Sequence, residues 1–334
     1  MLSTVVRGPG ASERAANGTG PWRFVRRTRA DSGVVLARVT PQRGYPDSLH
    51  LGMVRAEAIP ALLASGALDC MPWITLSTRR QLAARSDVRM RDDGPPQAQI
   101  IDVAVQRAVW RDVRARIGLA HALDGASYVR TFELGVARRT SGLLSPLGPL
   151  RDAAVPPIAY DPVRARALLD SAGLHSGDTV RIHARAGRDA DTTLGLPALL
   201  AASLRAIDRV PRFVVSARID EALATGAVDL ATYALVQQSA GEEAITELFS
   251  EQSLGSGGVQ LPGVRPLELA YRRDTSVAAR RAVLIQLNAL VAAQQPVIPL
   301  WFMRPTAVAR LDVEGCRAES AMVDRFVQLR RVAR

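Results

Sequence analysis

The pattern of hydrophobic and polar positions predicts alternating strands and helices over most of the chain. The clearest helix begins after Tyr160, because Asp161 is a good N-cap, Pro162 suits the first helical position and Gly173 suits the left-handed residue after the last turn. The other predicted elements are a helix at 113–122, a strand at 179–184, a helix at 196–207, a strand at 212–217, a helix at 276–293 and a strand at 297–302. Such alternation is typical of a mainly parallel sheet covered by helices.

One arrangement occurs twice. Residues 58–71 and 219–233 each contain a short apolar helix, a glycine, and a short strand that follows an aspartate. Gly66 and Gly226 fit the left-handed position that ends a helix, and the strands are predicted to begin two residues after each glycine. The similarity indicates either chance likeness between two α/β segments or a protein with two lobes of similar build.

The two ends of the chain are less regular. Residues 1–17 are small, polar and glycine-rich, and we predict a loose segment there. Strands are predicted at 22–26 and 34–39, with a turn at 29–33 between them. Residues 303–334 are predicted to form short strands and loops.

Charge and composition exclude several classes of protein. Hydrophobic residues make up 48 % of the 334 residues, which is ordinary for a globular protein. The net charge is +11, and the 43 basic residues are all arginine, but they are spread along the chain rather than gathered on one stripe with aromatic residues. We therefore predict a solvated surface and no nucleic-acid partner. No apolar run approaches the ~18 residues that span a membrane.

The cysteines and histidines do not predict a metal site. Cys70 and Cys316 lie far apart in the chain, and neither has a cysteine or histidine neighbour at metal-ligand spacing. A disulfide between them is one interpretation, but two buried free thiols are favoured. The four histidines form no ligand pair either, so we predict neither a metal nor a cofactor.

The sequence also carries no catalytic motif that we can identify. A Walker A loop requires a lysine, and the chain has none. There is no G-x-S-x-G elbow, and the glycines near the N-terminus do not follow a strand, as a dinucleotide fingerprint would require. Glu242 and Glu243 are explained by a solvated helix start. We therefore predict no catalytic residues and no enzyme.

Seven segments, in the right order between residues 17 and 300, resemble the family 5 solute-binding proteins, which are the receptors of ABC importers for peptides, dipeptides and nickel. The first, Asn17–Val25, resembles G-T-G-P-[YF]-x-[FL], and Tyr160–Gly173 is close to Y-D-P-x-x-A-x-x-L-L-x-x-A-G. The other five are Tyr45-Pro46 (for Tyr-Trp), Gly66–Asp69 (for G-x-I-D), Val113–Asp124 (for V-R-x-A-x-x-x-A-I-D-R), Gly226–Leu230 (for G-x-F-D) and Gln295–Leu300 (for P-x-I-P-L).

The resemblance implies an α/β fold of the periplasmic-binding-protein-like type II, peptide-binding class, with two lobes that enclose a ligand. The implied domains are the loose segment 1–17, a first lobe of residues 18–104 plus 301–334, and a second lobe of residues 105–300. In the family a long stretch with an export signal precedes G-T-G-P. This chain has only seventeen residues there and no signal peptide, so we expect an N-terminally truncated receptor with an incomplete first lobe.

By resemblance, the crossing strands between the lobes would place the hinge at Ile101, Asp102, Leu300 and Trp301. The ligand-binding residues are predicted in two places: Trp73, after the first-lobe strand, and the segment after the matching second-lobe strand, which contributes Tyr233, Gln237, Gln238 and Ser239.

The family commonly has a Trp and an amine-binding Asp after the second-lobe strand, and this chain has neither. Amides and an aromatic plane suit a neutral solute better than a free amine. Two alternatives are that Gln237 and Gln238 belong to a surface loop only, and that Glu242 or Glu243 takes the place of the missing Asp.

The implied function is therefore that of a monomeric, extracytoplasmic receptor. It would capture a small polar solute or peptide and deliver it to the permease subunits of an ABC transporter. Three alternatives stay open: a truncated, non-functional receptor remnant, a cytoplasmic α/β enzyme with no recognisable motif, and a polyanion-binding protein.

Overall fold

The chain forms two compact units. The structure is a computed structural model that describes residues 21–28, 33–133, 135–184, 195–236, 263–318 and 329–332. Unit 1 contains residues 1–95 and 304–334, and unit 2 contains residues 96–303. Unit 2 is therefore one continuous stretch of chain inserted between the two segments of unit 1.

Unit 1 is built from small antiparallel sheets. Strands β1 (Trp22–Arg27), β2 (Gly33–Arg38) and β3 (Ser48–Gly52) form the first sheet. The second sheet has the order β4 (Cys70–Ile74), β12 (Thr306–Arg310), β5 (Val88–Arg91), and a short pair joins β13 (Val313–Glu314) to β14 (Arg330–Arg331). Helices α1 (Ile59–Ser65) and α2 (Leu76–Leu82) flank β4 in the chain. The predicted strands at 22–26 and 34–39 are confirmed.

The strands of unit 2 form one six-stranded sheet. Their spatial order is β7 (Arg138–Arg139), β11 (Val297–Met303), β6 (Gln97–Val103), β10 (Leu230–Val236), β8 (Thr179–Ala184) and β9 (Val210–Val215). Strands β10, β8 and β9 are parallel, but β6 runs antiparallel to both β10 and β11, and β7 runs antiparallel to β11. The predicted parallel arrangement is confirmed for β8, β9 and β10, whereas the pairings of β6 with β10 and β11 and of β7 with β11 are antiparallel. The physical reason is that β6 enters unit 2 directly from unit 1, so no crossover helix sets its direction.

Helices cover both faces of this sheet. The main core lies on the face with Ile101, Val103 and Ile298, under the helices of residues 108–131, 162–171 and 196–205. These helices are α3 (Ala108–Arg111), α4 (Val113–Ala122), α5 (Gly125–Thr131), α6 (Pro162–Ser171) and α7 (Leu196–Arg205). On the opposite face, α9 (Val264–Arg273) and α10 (Val277–Gln294) pack on residues such as Ile100 and Phe302, and α8 (Ile219–Ala224) packs on Ala104 and Ala231. Among the helices of the described ranges, none is long and apolar enough to cross a membrane.

Local capping explains why α6 was predicted correctly. The Asp161 side chain accepts a hydrogen bond of 2.9 Å from the main-chain nitrogen of Arg164, as an N-cap should. Gly173 follows the helix with φ of 85°, in the left-handed region that favours glycine. The cap, the proline and the glycine act within a few residues, so they need no tertiary contacts to define the helix.

The repeated helix–glycine–strand arrangement is present in both units. Gly66 has φ of 74° and Gly226 has φ of 66°, which confirms the left-handed turns. The strands begin at Cys70 and Leu230, later than predicted. The aspartate before each strand differs in its surroundings, however: Asp69 is about half exposed, whereas Asp229 is buried.

Cys70 and Cys316 form a disulfide, so the prediction of two free thiols is wrong. The two Cα atoms lie 5.9 Å apart, within the range that a disulfide spans. The pairing arises because β12 lies against β4, with Ala309 opposite Cys70, and carries the segment after β13 into the same core. A sequence separation of 246 residues gives no hint of this contact. The disulfide joins the two chain segments of unit 1.

The contacts divide the chain at 95/96 and 303/304, not at the predicted 104/105 and 300/301. The four predicted hinge residues, Ile101, Asp102, Leu300 and Trp301, consequently lie inside strands β6 and β11 of unit 2, and all four are buried. The physical reason is that a continuous run of strand-forming residues does not reveal where its pairing in a sheet begins.

Candidate functional site

Both connections between the units leave unit 2 at one end of its sheet. Gln97, at the start of β6, pairs with Val236, the last residue of β10, and with Met303, the last residue of β11. We call this end, marked by Gln97, Val236 and Met303, the crossing end of unit 2. The carboxyl end of β8 points the same way, because β8 is parallel to β10. The carboxyl ends of strands are where open α/β sheets commonly bind ligands.

In unit 1 both connections also meet one end of a sheet, the sheet of β4, β12 and β5. One connection begins soon after β5 ends at Arg91, and the other finishes just before β12 begins at Thr306. Arg91 pairs with Ala307, and Thr306 pairs with Ile74 at the end of β4. We call this the crossing end of unit 1. Trp73 comes directly before Ile74, and it is 55 % exposed although it belongs to a strand.

Of the predicted ligand-binding residues, the structure describes Trp73 and Tyr233, each near the crossing end of its own unit. Trp73 lies there in unit 1, and Tyr233 lies in the last half of β10, where its main chain pairs with Ile100. The predicted residues Gln237, Gln238 and Ser239 follow β10 but lie outside the described residues, as do Glu242 and Glu243. Their role as ligand contacts stays a prediction.

Side chains of unit 1 tie its two connecting segments together. Arg304 donates a hydrogen bond of 2.7 Å from Nη1 to the carbonyl oxygen of Gly94. The Thr306 hydroxyl donates to Asp92 at 2.6 Å and accepts a bond of 2.7 Å from Arg79 Nη1, while Arg79 also pairs with Asp92. A Cβ atom on Gly94 would lie 2.4 Å from the carbonyl oxygen of Ala318, so this close approach requires glycine. These contacts hold together the two chain segments of unit 1 that lead to unit 2.

We expect the substitution Asp92→Asn to destabilise unit 1 slightly at neutral pH, by less than about 1 kcal/mol, because the ion pair is partly exposed to solvent. Burial alone would raise the pKa of Asp92, but the hydrogen bonds from Arg79 and Thr306 outweigh it and hold the pKa below its ordinary value. A carboxyl group with a lowered pKa in the folded state stabilises fully above its unfolded pKa of about 3.9, and this contribution is lost as the pH falls through the folded-state pKa.

Urea unfolding of the wild type and Asp92→Asn at neutral and strongly acidic pH measures this dependence. The exposed Asp152 supplies the control variant Asp152→Asn. The interpretation is wrong if the difference between the wild type and Asp92→Asn is the same at both pH values.

An aromatic stack supports the crossing end of unit 2. The ring centroid of Tyr128 in α5 lies 4.9 Å from that of Trp301 in β11 and 4.7 Å from that of Phe132. Burial, and to a smaller extent the charge of Glu133, raises the pKa of Tyr128 to about 12. Tyr128 therefore stays neutral at physiological pH, and the stack gives the end of β11 a rigid apolar base.

Sequence reasoning missed two glutamines at the crossing end of unit 2. Gln97 and Gln99 lie in β6, and both are half-buried. Gln99 is paired on one side with Ala234 of β10 and on the other with Trp301 of β11, so these three side chains share one face of the sheet. The signal was present in the sequence: polar and apolar residues alternate from Gln97 to Ile100 before the run becomes wholly apolar, as expected of a strand whose first half meets solvent.

Two other sites are unsuitable for a solute. A cavity of about 20 Å³ in unit 2, lined by residues such as Arg139, Ser141 and Gln295, has room for about one water molecule. Within the described part of the chain, no group of three or more His, Cys, Asp or Glu side chains is placed to hold a metal ion. The crossing ends are therefore the better candidates.

The architecture of two α/β units joined by two connections defines the class of two-lobed solute-binding proteins. The chain belongs to one family of this class, the bacterial extracellular solute-binding proteins of family 5, since the sequence profile of that family's middle region matches residues 6–208. This is a family of extracytoplasmic binding proteins rather than enzymes. The resemblance predicted from the sequence motifs is confirmed.

Solved structures support the fold. The chain is similar to the periplasmic binding protein DppA from Helicobacter pylori in complex with the peptide STSA, with a TM-score of 0.79, 18 % identity, and coverage of 94 % of this chain and 63 % of DppA. The chain is also similar to NikA from Brucella suis in complex with Fe(III)-EDTA, with a TM-score of 0.77, 18 % identity, and coverage of 94 % of this chain and 68 % of NikA. A third similar structure is AgaA from A. tumefaciens R10 in complex with agropinic acid, with a TM-score of 0.76, 15 % identity, and coverage of 94 % of this chain and 67 % of AgaA.

The chain spans only about two thirds of the length of these solved proteins, from 63 % to 68 %. At such low identity the likeness concerns the fold alone. A comparison with curated proteins finds no significant match.

Proposed function

We propose that this chain is the solute-binding component of an ABC importer, which captures a small polar solute and delivers it to a membrane permease. The observation that carries the proposal is the family match over residues 6–208, together with a two-unit fold whose relatives bind small solutes. The contacts proposed for the solute are Trp73 at the crossing end of unit 1 and the segment of Tyr233 to Ser239 at and after the end of β10.

The proposed location is extracytoplasmic. The family membership supports it, and the disulfide between Cys70 and Cys316 is an independent argument, because disulfides persist in oxidising compartments and are rare in the cytosol. A protein that worked in the cytosol would lose this link between the two segments of unit 1.

The proposed solute is neutral and carries amide or hydroxyl groups. A charged amine taken out of water needs an opposite charge, since its unpaired burial costs several kcal/mol. The segment Gln237, Gln238, Ser239 offers amides and a hydroxyl but no carboxylate, and Trp73 offers an aromatic plane. The relatives bind the peptide STSA and agropinic acid, so the fold accommodates more than one class of solute.

Ligand-dependent melting tests the function. We expect at least one solute among the peptide Ser-Thr-Ser-Ala, its N-acetylated form, agropinic acid and a neutral oligosaccharide to raise the melting temperature. A ligand present at a hundred times its Kd stabilises the folded state by about 2.7 kcal/mol. We also expect the acetylated peptide to bind at least as tightly as the free peptide in calorimetry.

Two results would contradict these expectations. Tenfold tighter binding of the free peptide, equivalent to about 1.4 kcal/mol, would show that an acidic group holds the amine and that the solute class is wrong. Stoichiometric, reproducible turnover of a peptide, ester or phosphate by the pure protein would replace the receptor with an enzyme.

A further inference from the structure

Unit 2 has a small cavity where the C-terminal end of α10 meets the chain after β7. Its volume is about 20 Å³, and its lining includes Gly125, Arg139, Ser141 and Gln295. A cavity needs about 10–15 Å³ of space, measured for the centre of a water-sized sphere, to hold one water molecule. A peptide-sized solute is too large for it, so the cavity is not part of the ligand site proposed above.

Gln295 contributes a buried acceptor without a protein partner. The side chain is 0 % exposed, and its Nε2 donates hydrogen bonds to the carbonyl oxygens of Ser141 at 2.9 Å and Ala292 at 3.0 Å. These carbonyl groups fix the orientation of the amide, because a flipped amide would turn its oxygen towards them. Among the described residues, Oε1 then has no hydrogen-bond partner. A buried acceptor left unpaired costs free energy, so the cavity that Gln295 lines is expected to hold a donor.

The backbone of Gln295 is unusual as well. Its φ of 44° lies in the left-handed region, which glycine adopts at lower cost than a residue with a Cβ atom. Helices often end on glycine in this conformation, but α10 ends on a glutamine. A residue in this conformation persists only where its surroundings compensate for it. The hydrogen bonds of the side-chain amide supply that compensation, and they do so fully only if the oxygen is also paired.

Arg139 offers donors on the lining of the same cavity. Its side chain is half-buried, and Nη2 donates to the carbonyl oxygen of Ile158 at 3.1 Å, its one hydrogen bond among the described residues. A guanidinium group has five N–H donors, so others remain. Burial lowers the pKa of Arg139, while the negative charge of Asp124 opposes that shift. Arg139 therefore stays a cation at neutral pH, and Asp124 offsets part of its charge.

These two side chains decide the chemistry of the ligand, which must donate to the oxygen of Gln295 and accept from the guanidinium group of Arg139. An anion only accepts, the amide oxygen would repel it, and Asp124 weakens its attraction to Arg139. A cation cannot accept from Arg139 and is repelled by it. An apolar ligand would leave the oxygen of Gln295 unpaired. A water molecule both donates and accepts, and the cavity has the volume to hold it.

We propose that this cavity binds one water molecule as a permanent part of unit 2, with the water donating to Gln295 Oε1 and accepting from Arg139. The water links the C-terminal end of α10 to β7, the strand at one edge of the six-stranded sheet. It also completes the pairing of the amide on the left-handed residue. The inference goes beyond the receptor function and does not depend on it.

A crystal structure of the full chain, grown with sodium bromide, tests the site directly. We expect one electron-density peak within about 2.7–3.2 Å of both Gln295 Oε1 and a nitrogen of Arg139, without the anomalous signal of bromide. An empty cavity, or a bromide ion at this place, overturns the inference.

Magnetic relaxation dispersion of the water oxygen nuclei counts slowly exchanging water molecules in solution. The variant Gln295→Leu removes the acceptor, and the control Gln286→Leu makes the same change at an exposed position of α10. We expect Gln295→Leu to lose one slowly exchanging water molecule and the control to lose none.

Melting temperatures show whether Gln295→Leu is folded. If it is not, Gly125→Ala takes its place in the comparison, because its Cβ atom would lie 3.1 Å from Arg139 Nε and the variant leaves the bonds of Gln295 intact. The proposed water is wrong if the folded variant keeps every slowly exchanging water molecule of the wild type.

Discussion

Reduction of the disulfide between Cys70 and Cys316 is expected to lower the free energy of unfolding of unit 1 by about 2–4 kcal/mol, while unit 2 keeps its stability. Unit 1 depends on the bond because its two chain segments are separated by the whole of unit 2. Only non-covalent contacts, such as the pairing of β12 with β4 and β5, otherwise join them.

The size of the effect depends on which part of the protein unfolds. If both units unfold, the disulfide closes a loop set by its sequence separation of 246 residues. If unit 2 stays folded, it already holds the two connections, and the effective loop shrinks to about 40 residues, for which the chain-entropy model gives about 4 kcal/mol. We expect the second case, because unit 2 has its own continuous chain and its own cores.

Urea unfolding with and without dithiothreitol measures the effect. Hydrogen exchange of peptides from the two units shows which unit is destabilised. The control is the variant Cys70→Ala/Cys316→Ala, which should unfold like the reduced wild type and should not respond to dithiothreitol. If the untreated protein, once denatured, reacts with two equivalents of a thiol reagent, the disulfide is absent and the prediction fails.

The parts of the fold that sequence reasoning predicted are those defined by local chemistry. Helix α6 was correct to within a few residues because Asp161, Pro162 and Gly173 fix its ends by short-range hydrogen bonds and allowed backbone angles. The turns at Gly66 and Gly226 were correct for the same reason, since a left-handed φ is a property of one residue.

The errors concern contacts between distant parts of the chain. The disulfide depends on the register of β12 against β4, and that register is not visible in the spacing of residues. The antiparallel direction of β6 was not predicted either. It follows from the insertion of unit 2 between the two segments of unit 1, which the residue pattern does not show.

The candidate site stays a prediction. Exposure of Trp73 was not deducible from its strand, whereas its place near the end of that strand followed from the repeated turn. Gln97 and Gln99 were overlooked because a search for catalytic and binding motifs favours charged and nucleophilic residues. A half-buried amide is recognised as available only when its lack of partners is seen in three dimensions.

The two aspartates of the repeated arrangement are expected to differ strongly in their contribution to stability. Asp229 is 1 % exposed, and it accepts hydrogen bonds from the indole nitrogen of Trp110 at 3.1 Å and from the main-chain nitrogen of Arg181 at 2.7 Å. Its carboxylate also pairs with the guanidinium groups of Arg181 and Arg107. Asp69 occupies the same position of the arrangement in unit 1, but its side chain is 45 % exposed and pairs only with Arg331, at 3.2 Å, among the described residues.

Asp229→Ala is therefore expected to lower the free energy of unfolding of unit 2 by about 3–5 kcal/mol, because it leaves the two arginines facing each other without their counter-charge and the indole N–H without an acceptor. Asp69→Ala should cost no more than about 1 kcal/mol, as for other exposed ion pairs. Urea unfolding of both variants compares the same substitution in the same local motif. Equal losses in the two variants would mean that the aspartate serves the turn itself, through its place after the glycine, and that the buried ion pairs in unit 2 contribute no additional stability.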